Sequence, residues 1–296
     1  MTILPAPLVH LGESRLGILW ALASVAGYST MDAIAKELTQ TLPLAEIVLA
    51  RFAIPLLIVA IVLNRRLPEH FVSPRSGLQL LRGAMLIAST VFFYAGVSVL
   101  PLAEATAITF VGPPLITALS VPFLGERVGV RRWVGVAVGF VGMLIIVRPG
   151  MGVMAWAALL PIGAATCYAF NQILTRKLRA AARPFTTALW TLALGSALAT
   201  MAAPFTWVAP PPETWALAIL LGVIAIGADF AIIKAVTLAP VSVIAPLSYL
   251  PLVFATIFGY VFFGDWPDVW TFVGAFIIVA SGLYIFHRER VRAGAS

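Results

Sequence analysis

Long apolar runs separated by short polar or Gly/Pro-containing turns make up nearly all of this chain. Five runs lie near residues 16–38, 45–63, 78–100, 103–124 and 133–147, and five more near 153–175, 185–204, 214–234, 241–263 and 269–286. Most match the roughly twenty residues that carry a helix across a hydrocarbon layer of about 30 Å. In lipid a backbone must satisfy its own hydrogen bonds, so short of a closed barrel only helices can span. Barrel strands alternate polar and apolar positions, and these runs do not. The pattern predicts an all-α integral membrane protein with ten transmembrane helices.

Composition supports this reading, with 61% of residues hydrophobic and 10% charged, against about a quarter charged in soluble domains. Ala21-Leu22-Ala23 after Arg15 resembles a signal-peptide cleavage box, but the apolar run continues past it and the segment has an internal copy. A net charge of +7 raises the question of nucleic acid. The basic residues are instead scattered through short loops, which predicts a lipid bilayer and no nucleic acid as surroundings. A single cysteine, Cys167, excludes an internal disulfide and a multi-cysteine metal site. His10, His70 and His287 all fall in tails or loops, so neither a metal site nor a cofactor is predicted. No Lys follows a Gly, which excludes the phosphate-binding loop G-x-x-x-x-G-K-[ST], and no catalytic constellation marks an enzyme.

Loop charge predicts the orientation. Arg65, Arg66 and Arg75 follow span 2, Arg127, Arg131 and Arg132 follow span 4, and Arg176, Lys177, Arg179 and Arg183 follow span 6. With Arg15, Arg288, Arg290 and Arg292 they lie on one face and leave essentially Lys36 and Arg148 opposite. Cytoplasmic loops are rich in Lys and Arg, so both ends are placed in the cytoplasm and the spans in a bacterial inner membrane. Residues 1–15 and 288–296 form the tails.

An internal repeat organises what lies between. Pro101, Gly125 and Gly135 recur 139 positions later as Pro240, Gly264 and Gly274, and Leu124-Gly125-Glu126 recurs as Phe263-Gly264-Asp265. Trp20, Gly27, Thr30 and Leu38 recur 136 positions later as Trp156, Gly163, Thr166 and Leu174. This gives two five-helix repeats, residues 16–149 and 150–287. Five is odd, so the second copy must sit upside down in the membrane. The loops after spans 7 and 9 agree, holding Glu213, Asp265 and Asp268 and no Lys or Arg. Inverted repeats are the architecture of secondary carriers, whose site lies near mid-membrane between the halves.

Phe123-Leu124-Gly125-Glu126-Arg127 followed by Trp133-Val134-Gly135, together with Ala50-Arg51-Phe52 and the doubled architecture, resembles the EamA-type drug/metabolite transporter superfamily over residues 16–286. Asp265 replaces the usual Glu in the second copy. Within that superfamily the chain resembles bacterial aromatic amino-acid exporters. The resemblance implies export of amino acids or related small metabolites by alternating access. A close alternative is an exporter of lipophilic cationic drugs, which would want a deep carboxylate on the cavity face, and Asp32 and Asp229 qualify. A membrane receptor or enzyme is the alternative of another class.

Within the spans, Gly112-Pro113-Pro114 aligns with the neighbourhood of Pro246 and Pro251, Gly112 falling on Pro251. Proline has no N–H to return to the preceding turn, so the carbonyls of Thr109 and Phe110 are expected to be free for a ligand. Thr106, Thr109, Pro113 and Thr117 lie within about 80° of one another around span 4. The proposed substrate-binding set is Trp20, Ser24, Tyr28, Asp32, Thr90, Tyr94, Thr106, Thr109, Gly112, Pro113, Tyr168, Asn171, Gln172, Asp229, Ser248 and Tyr249. Taken singly, a membrane aromatic or hydroxyl more often packs than binds. Charges deep in a span cost about 2.5–3.5 kcal/mol each, which turns Asp32, Arg51 and Asp229 inward. Asp32 and Arg51 are placed together in the outer third as a candidate ion pair, with Asp229 in the inner third. Gly135, Gly139 and Gly142 permit close helix contact, read as packing within a monomer in preference to a dimer.

Overall fold

The computed structural model describes residues 11–126, 128–148, 154–178 and 183–293; Arg127 and Arg179 lie outside them. The chain forms α1 (Leu11–Leu38), α2 (Leu44–Leu63), α3 (Ser76–Val97), α4 (Leu102–Thr109), α5 (Gly112–Leu124), α6 (Val130–Val147), α7 (Met154–Ala157) and α8 (Leu159–Leu178). It continues through α9 (Pro184–Thr206), α10 (Pro212–Leu238), α11 (Val241–Ile244), α12 (Leu250–Phe263) and α13 (Val269–Ala293). Two 3-10 stretches, Asn64–Phe71 and Ala245–Tyr249, complete it, and there is no strand among the described residues. Nine helices or broken helices among these residues are long and apolar enough to cross a membrane. The twenty-residue α8 falls outside that nine, because Asn171, Gln172, Thr175, Arg176 and Lys177 dilute its hydropathy. The last helix runs to Ala293, seven residues past the predicted end of span 10.

Contacts between the halves follow the sequence repeat. On α1, Gly17 sits against Ala239 and Gly27 against Ala228 of α10, an antiparallel pairing. Its counterpart joins α3 to α8, with Gly96 against Pro161, Gly163 against Phe92, and the Ser89 hydroxyl donating to the Ala164 carbonyl at 2.8 Å. Between α6 and α13 the relation is reciprocal. Gly135 meets Ile285 while Gly274 meets Ile146, and Gly142 meets Ile278 while Gly139 meets Ser281. Adding or subtracting 139 turns one member of each couple into the other, as a pseudo-two-fold axis between antiparallel helices requires. The face of Gly135, Gly139 and Gly142 is therefore occupied within the chain, by α13 and by Pro114. Small residues serve here because close backbone approach maximises dispersion contact where lipid supplies no hydrophobic drive.

The shared Gly-acid turn has a backbone cause. Both α5 and α12 end on a left-handed glycine, Gly125 and Gly264, each at φ 69°. The Gly125 N–H bonds Val121 O at 3.1 Å and the Glu126 N–H bonds Ser120 O at 3.4 Å. Exact counterparts 139 positions on are Gly264 to Tyr260 at 3.1 Å and Asp265 to Gly259 at 2.9 Å. The glycine N–H returned four residues back makes this an αL C-cap, and its left-handed backbone is strained for any residue that carries a Cβ.

A side chain added at Gly274 would meet the Gly142 carbonyl at 2.6 Å, and backbone cannot step aside. Gly274→Ala should lower the thermal midpoint in detergent by the equivalent of about 1–3 kcal/mol. Gly227→Ala, where nothing lies within 4 Å, should leave it unchanged or raise it. Equal midpoints for the two variants would refute the close packing at this crossing.

Candidate functional site

Both broken spans interrupt their helices at equivalent places. At the end of α4 the N–H groups of Phe110 and Val111 bond the carbonyls of Ala107 and Ile108 at 3.2 and 3.1 Å, tight three-residue closures in place of α-helical ones. The helix restarts at Gly112 because Pro113 and Pro114 tolerate a first turn, where no N–H partner is needed, but not a helix interior. The second copy replaces the break by the 3-10 stretch ending at Tyr249, after which α12 restarts with Pro251 in its first turn. Phe110 and Tyr249 are related by the 139-position repeat. Their rings stack at 5.5 Å with 30° between planes, so the pseudo-two-fold axis passes close to this pair.

Beside the stack lies a cavity of about 530 Å³. Thr106, Thr109, Phe110, Gly112 and Pro113 form one wall, Tyr168 and Gln172 of α8 a second, and Ser248, Tyr249 and Pro251 a third; Asp32 of α1 and Ser89 and Phe93 of α3 close it. The Thr109 hydroxyl gives its proton to Thr106 O at 2.6 Å, so towards a ligand it offers lone pairs. A second cavity of about 460 Å³ lies on the far side of Tyr249 between α12 and α13, but its walls, such as Val253, Ile257 and Phe276, are apolar and open to the lipid side. Of these two, polar groups converge on the first, which we take as the site.

The remaining candidates from the sequence lie outside this cavity. Ser24 donates to the Ala228 carbonyl at 3.0 Å, Asn171 to the Arg82 carbonyl at 3.0 Å, and Thr90 to Leu86 O of its own helix at 3.1 Å. Trp20 packs edge-on against Phe230. Tyr94 is 1% exposed and buried beside Arg51, whose charge acts on its phenol. On α3 the cavity face belongs to Ser89 and Phe93, each one residue before Thr90 and Tyr94. A one-residue slip turns a helix by about 100°, so the sequence expectation pointed to the neighbouring face.

The intramembrane charges also pair differently from expectation. Arg51 Nη1 lies 3.9 Å from Asp229 Oδ2 instead of pairing with Asp32. Tyr28 donates to the other Asp229 oxygen at 2.5 Å. The Gly27–Ala228 contact sets Tyr28 of α1 beside Asp229 of α10, and the close approach of Gly222 to Ile54 and the Ala50 carbonyl seats α2, with Arg51, against the same helix. Because α10 continues to Leu238, Asp229 also lies nearer its middle than the predicted span allowed. Arg82, absent from the sequence reading, ties three helices: it bonds the hydroxyls of Thr175 at 3.0 Å and Thr191 at 2.6 Å, and the Thr187 carbonyl at 3.3 Å. An arginine at the fifth position of span 3 was the available signal.

Ion pairs tie the ends of the spans. On the face bearing the α12–α13 loop, Lys36 bonds Asp265 at 2.8 Å and the Leu100 carbonyl at 3.1 Å, and Arg148 bonds Asp268 at 2.5 Å. Partial burial acts to raise the Asp268 carboxyl, but hydrogen bonds from Thr271 and the Arg148 guanidinium outweigh it and hold the group below the usual carboxylate range. On the opposite face Arg176 bonds Glu126 at 3.3 Å.

The sequence profile of the EamA-like transporter family matches residues 15–148 and, a second time, residues 155–286. The chain belongs to this family. EamA-like proteins are transporters, and a chain of this architecture is a multi-pass membrane transporter of small molecules. Similar members include a riboflavin transporter of Rhizobium johnstonii, 32% identical over 67% of this chain and 66% of that protein. An S-adenosylmethionine uptake transporter of Rickettsia bellii is 28% identical over 93% of this chain and 94% of that one. The pseudopaline exporter CntI of Pseudomonas aeruginosa is 27% identical over 90% and 94%. A solved structure superposes with a TM-score of 0.63 at 18% identity, covering 90% of this chain and 95% of the other, and shows the shared fold.

Removing one partner of a buried ion pair strands the other, at about 3–5 kcal/mol. Arg51→Met should therefore lower the thermal midpoint strongly, and Arg51→Met/Asp229→Asn should recover most of that loss. If the two losses simply add, as measured by thermal unfolding of the purified variants, the pair is not coupled.

Proposed function

We propose that this EamA-family transporter exports amino acids, aromatic or otherwise neutral and amphiphilic, or related small metabolites across the bacterial inner membrane by alternating access. In this reading α8 is span 6 and brings the count of spans to ten, residues 16–149 and 150–287 are the two inverted repeats, and both ends lie in the cytoplasm. One observation carries it: the cavity sits where the two helix breaks meet on the repeat axis, walled by the rings of Phe93, Phe110, Tyr168 and Tyr249 and by hydroxyl and amide groups. Rings bury the flat part of an amphiphile while hydroxyls and freed carbonyls hold its polar end. Relatives that carry riboflavin or S-adenosylmethionine, solutes with flat heteroaromatic rings, fit the same kind of cavity. Outward movement is the direction proposed, and assays should run both ways because relatives include uptake carriers as well as an exporter. Export of lipophilic cations is the second reading, supported by Asp32 on the cavity wall.

Alternation has a structural correlate at the two faces. Glu126 and Asp265 are repeat equivalents, and each is bound by a cation from the end of the helix that the repeat makes equivalent, Arg176 of α8 and Lys36 of α1. The Lys36–Asp265 latch is short and its lysine 9% exposed, whereas the Arg176–Glu126 latch is longer with side chains 47% and 41% exposed. The tight outer latch supports a state closed to the exterior and approached from the cytoplasm.

An impermeant thiol reagent added to intact cells should label Asp268→Cys but not Ala295→Cys, each in a Cys167→Ser background; the reverse pattern would overturn the orientation. In proteoliposomes, Pro113→Ala/Pro114→Ala should weaken apparent affinity for a transported amino acid by at least about tenfold, the scale of losing acceptors to a charged group. Its thermal midpoint should change little. Unchanged flux kinetics would make the break a packing kink, and absence of flux for amino acids and cations alike in the wild type would sink the carrier reading.

A further inference from the structure

The centre of the bundle holds charges that do not balance locally. Arg51 faces Asp229, and Tyr28 closes the other Asp229 oxygen. Asp32, one turn along α1 from Tyr28, lies on the cavity wall, and no hydrogen bond or ion pair reaches it among the described residues. Arg51, already engaged with Asp229, is the charged group that acts on it through space. The other cations nearby are committed. Lys36, the next turn of α1, holds Asp265 and the Leu100 carbonyl, and Arg82 holds Thr175, Thr187 and Thr191. The remaining titratable neighbours, Tyr94 of α3, Tyr168 of α8 and Tyr249 beside α12, are neutral phenols.

A carboxylate at this depth is costly unless a cation meets it. Resting on the carrier reading above, the geometry points to Asp32 as the specificity-determining residue, accepting a cationic nitrogen of the cargo. The substrate class is then aromatic amines and amine-bearing aromatic metabolites, with neutral isosteres discriminated against. The repeat sharpens this. The equivalent of Asp32 in the second half is Tyr168, on the opposite wall of the same cavity. One copy thus supplies a carboxylate and the other a ring, so the cavity is polarised and its cargo is held cation towards α1 and ring towards α8. Aromatic faces at Phe93 and Phe110 add attraction for the same charge.

The test uses phenethylamine, protonated at neutral pH, and phenethyl alcohol, its uncharged isostere, titrated calorimetrically into the full chain in nanodiscs. Wild type should bind the amine at least about tenfold more tightly, the ratio that a hydrogen bond to a charged group supports. Asp32→Asn should bring the ratio close to one, while Asp32→Glu should keep it. Because Asp32 has no hydrogen-bond or ion-pair partner among the described residues, Asp32→Asn should fold with an undiminished thermal midpoint, which separates lost recognition from lost structure. Equal affinities in wild type, or a preserved ratio in Asp32→Asn, would overturn the inference. Flux keeps the two readings apart: amino-acid transport without amine preference leaves the carrier standing and removes Asp32, whereas Asp32-dependent amine binding without any flux does the reverse.

Discussion

Everything distinctive about this structure follows from the rule that a peptide group in hydrocarbon must find its hydrogen bond inside the protein. A helix may be broken only where other protein or a polar cavity receives the groups set free. This chain breaks two spans, at Phe110–Val111 and in the 3-10 stretch before Leu250, and brings both breaks to one cavity. Prolines make the breaks, and the glycine caps at Gly125 and Gly264 end the half-helices that follow. The stack of Phe110 on Tyr249 covers the junction.

Duplication explains why the breaks meet, and divergence explains why the halves differ in charge. Reciprocal contacts such as Gly135–Ile285 and Gly274–Ile146 hold the two copies antiparallel. Within that frame single substitutions carry large electrostatic weight: Tyr168 where the first copy has Asp32, and Asp265 where it has Glu126. The backbone is nearly two-fold symmetric while the polar groups are not, so the Lys36–Asp265 pair has a buried lysine whereas its counterpart Arg176–Glu126 is exposed.

Membership of the EamA-like family sets the class of activity, small-molecule transport, while the names of its members show that the same fold accepts different cargo.

The sequence by itself determined the membrane class, the approximate spans and the inverted duplication, since hydrophobic length, loop charge and fixed-offset glycines and prolines are local properties of a chain. It also marked the helix breaks and much of the cavity wall, including Asp32, Thr106, Thr109, Tyr168, Gln172, Ser248 and Tyr249, because proline chemistry and intramembrane polarity are visible without coordinates. The tertiary structure decided which face of each helix turns inward and at what depth. A one-residue rotation moved the α3 contribution from Thr90 and Tyr94 to Ser89 and Phe93, and the packing of α2 on α10 at Gly222 gave Arg51 to Asp229 instead of Asp32. Arg82, embedded in an otherwise apolar run, acquired its role only when α8 and α9 brought Thr175, Thr187 and Thr191 around it. Pairings of this kind depend on how far one helix slides and turns against another, which is set by small-residue contacts between distant segments and is not written in either segment alone.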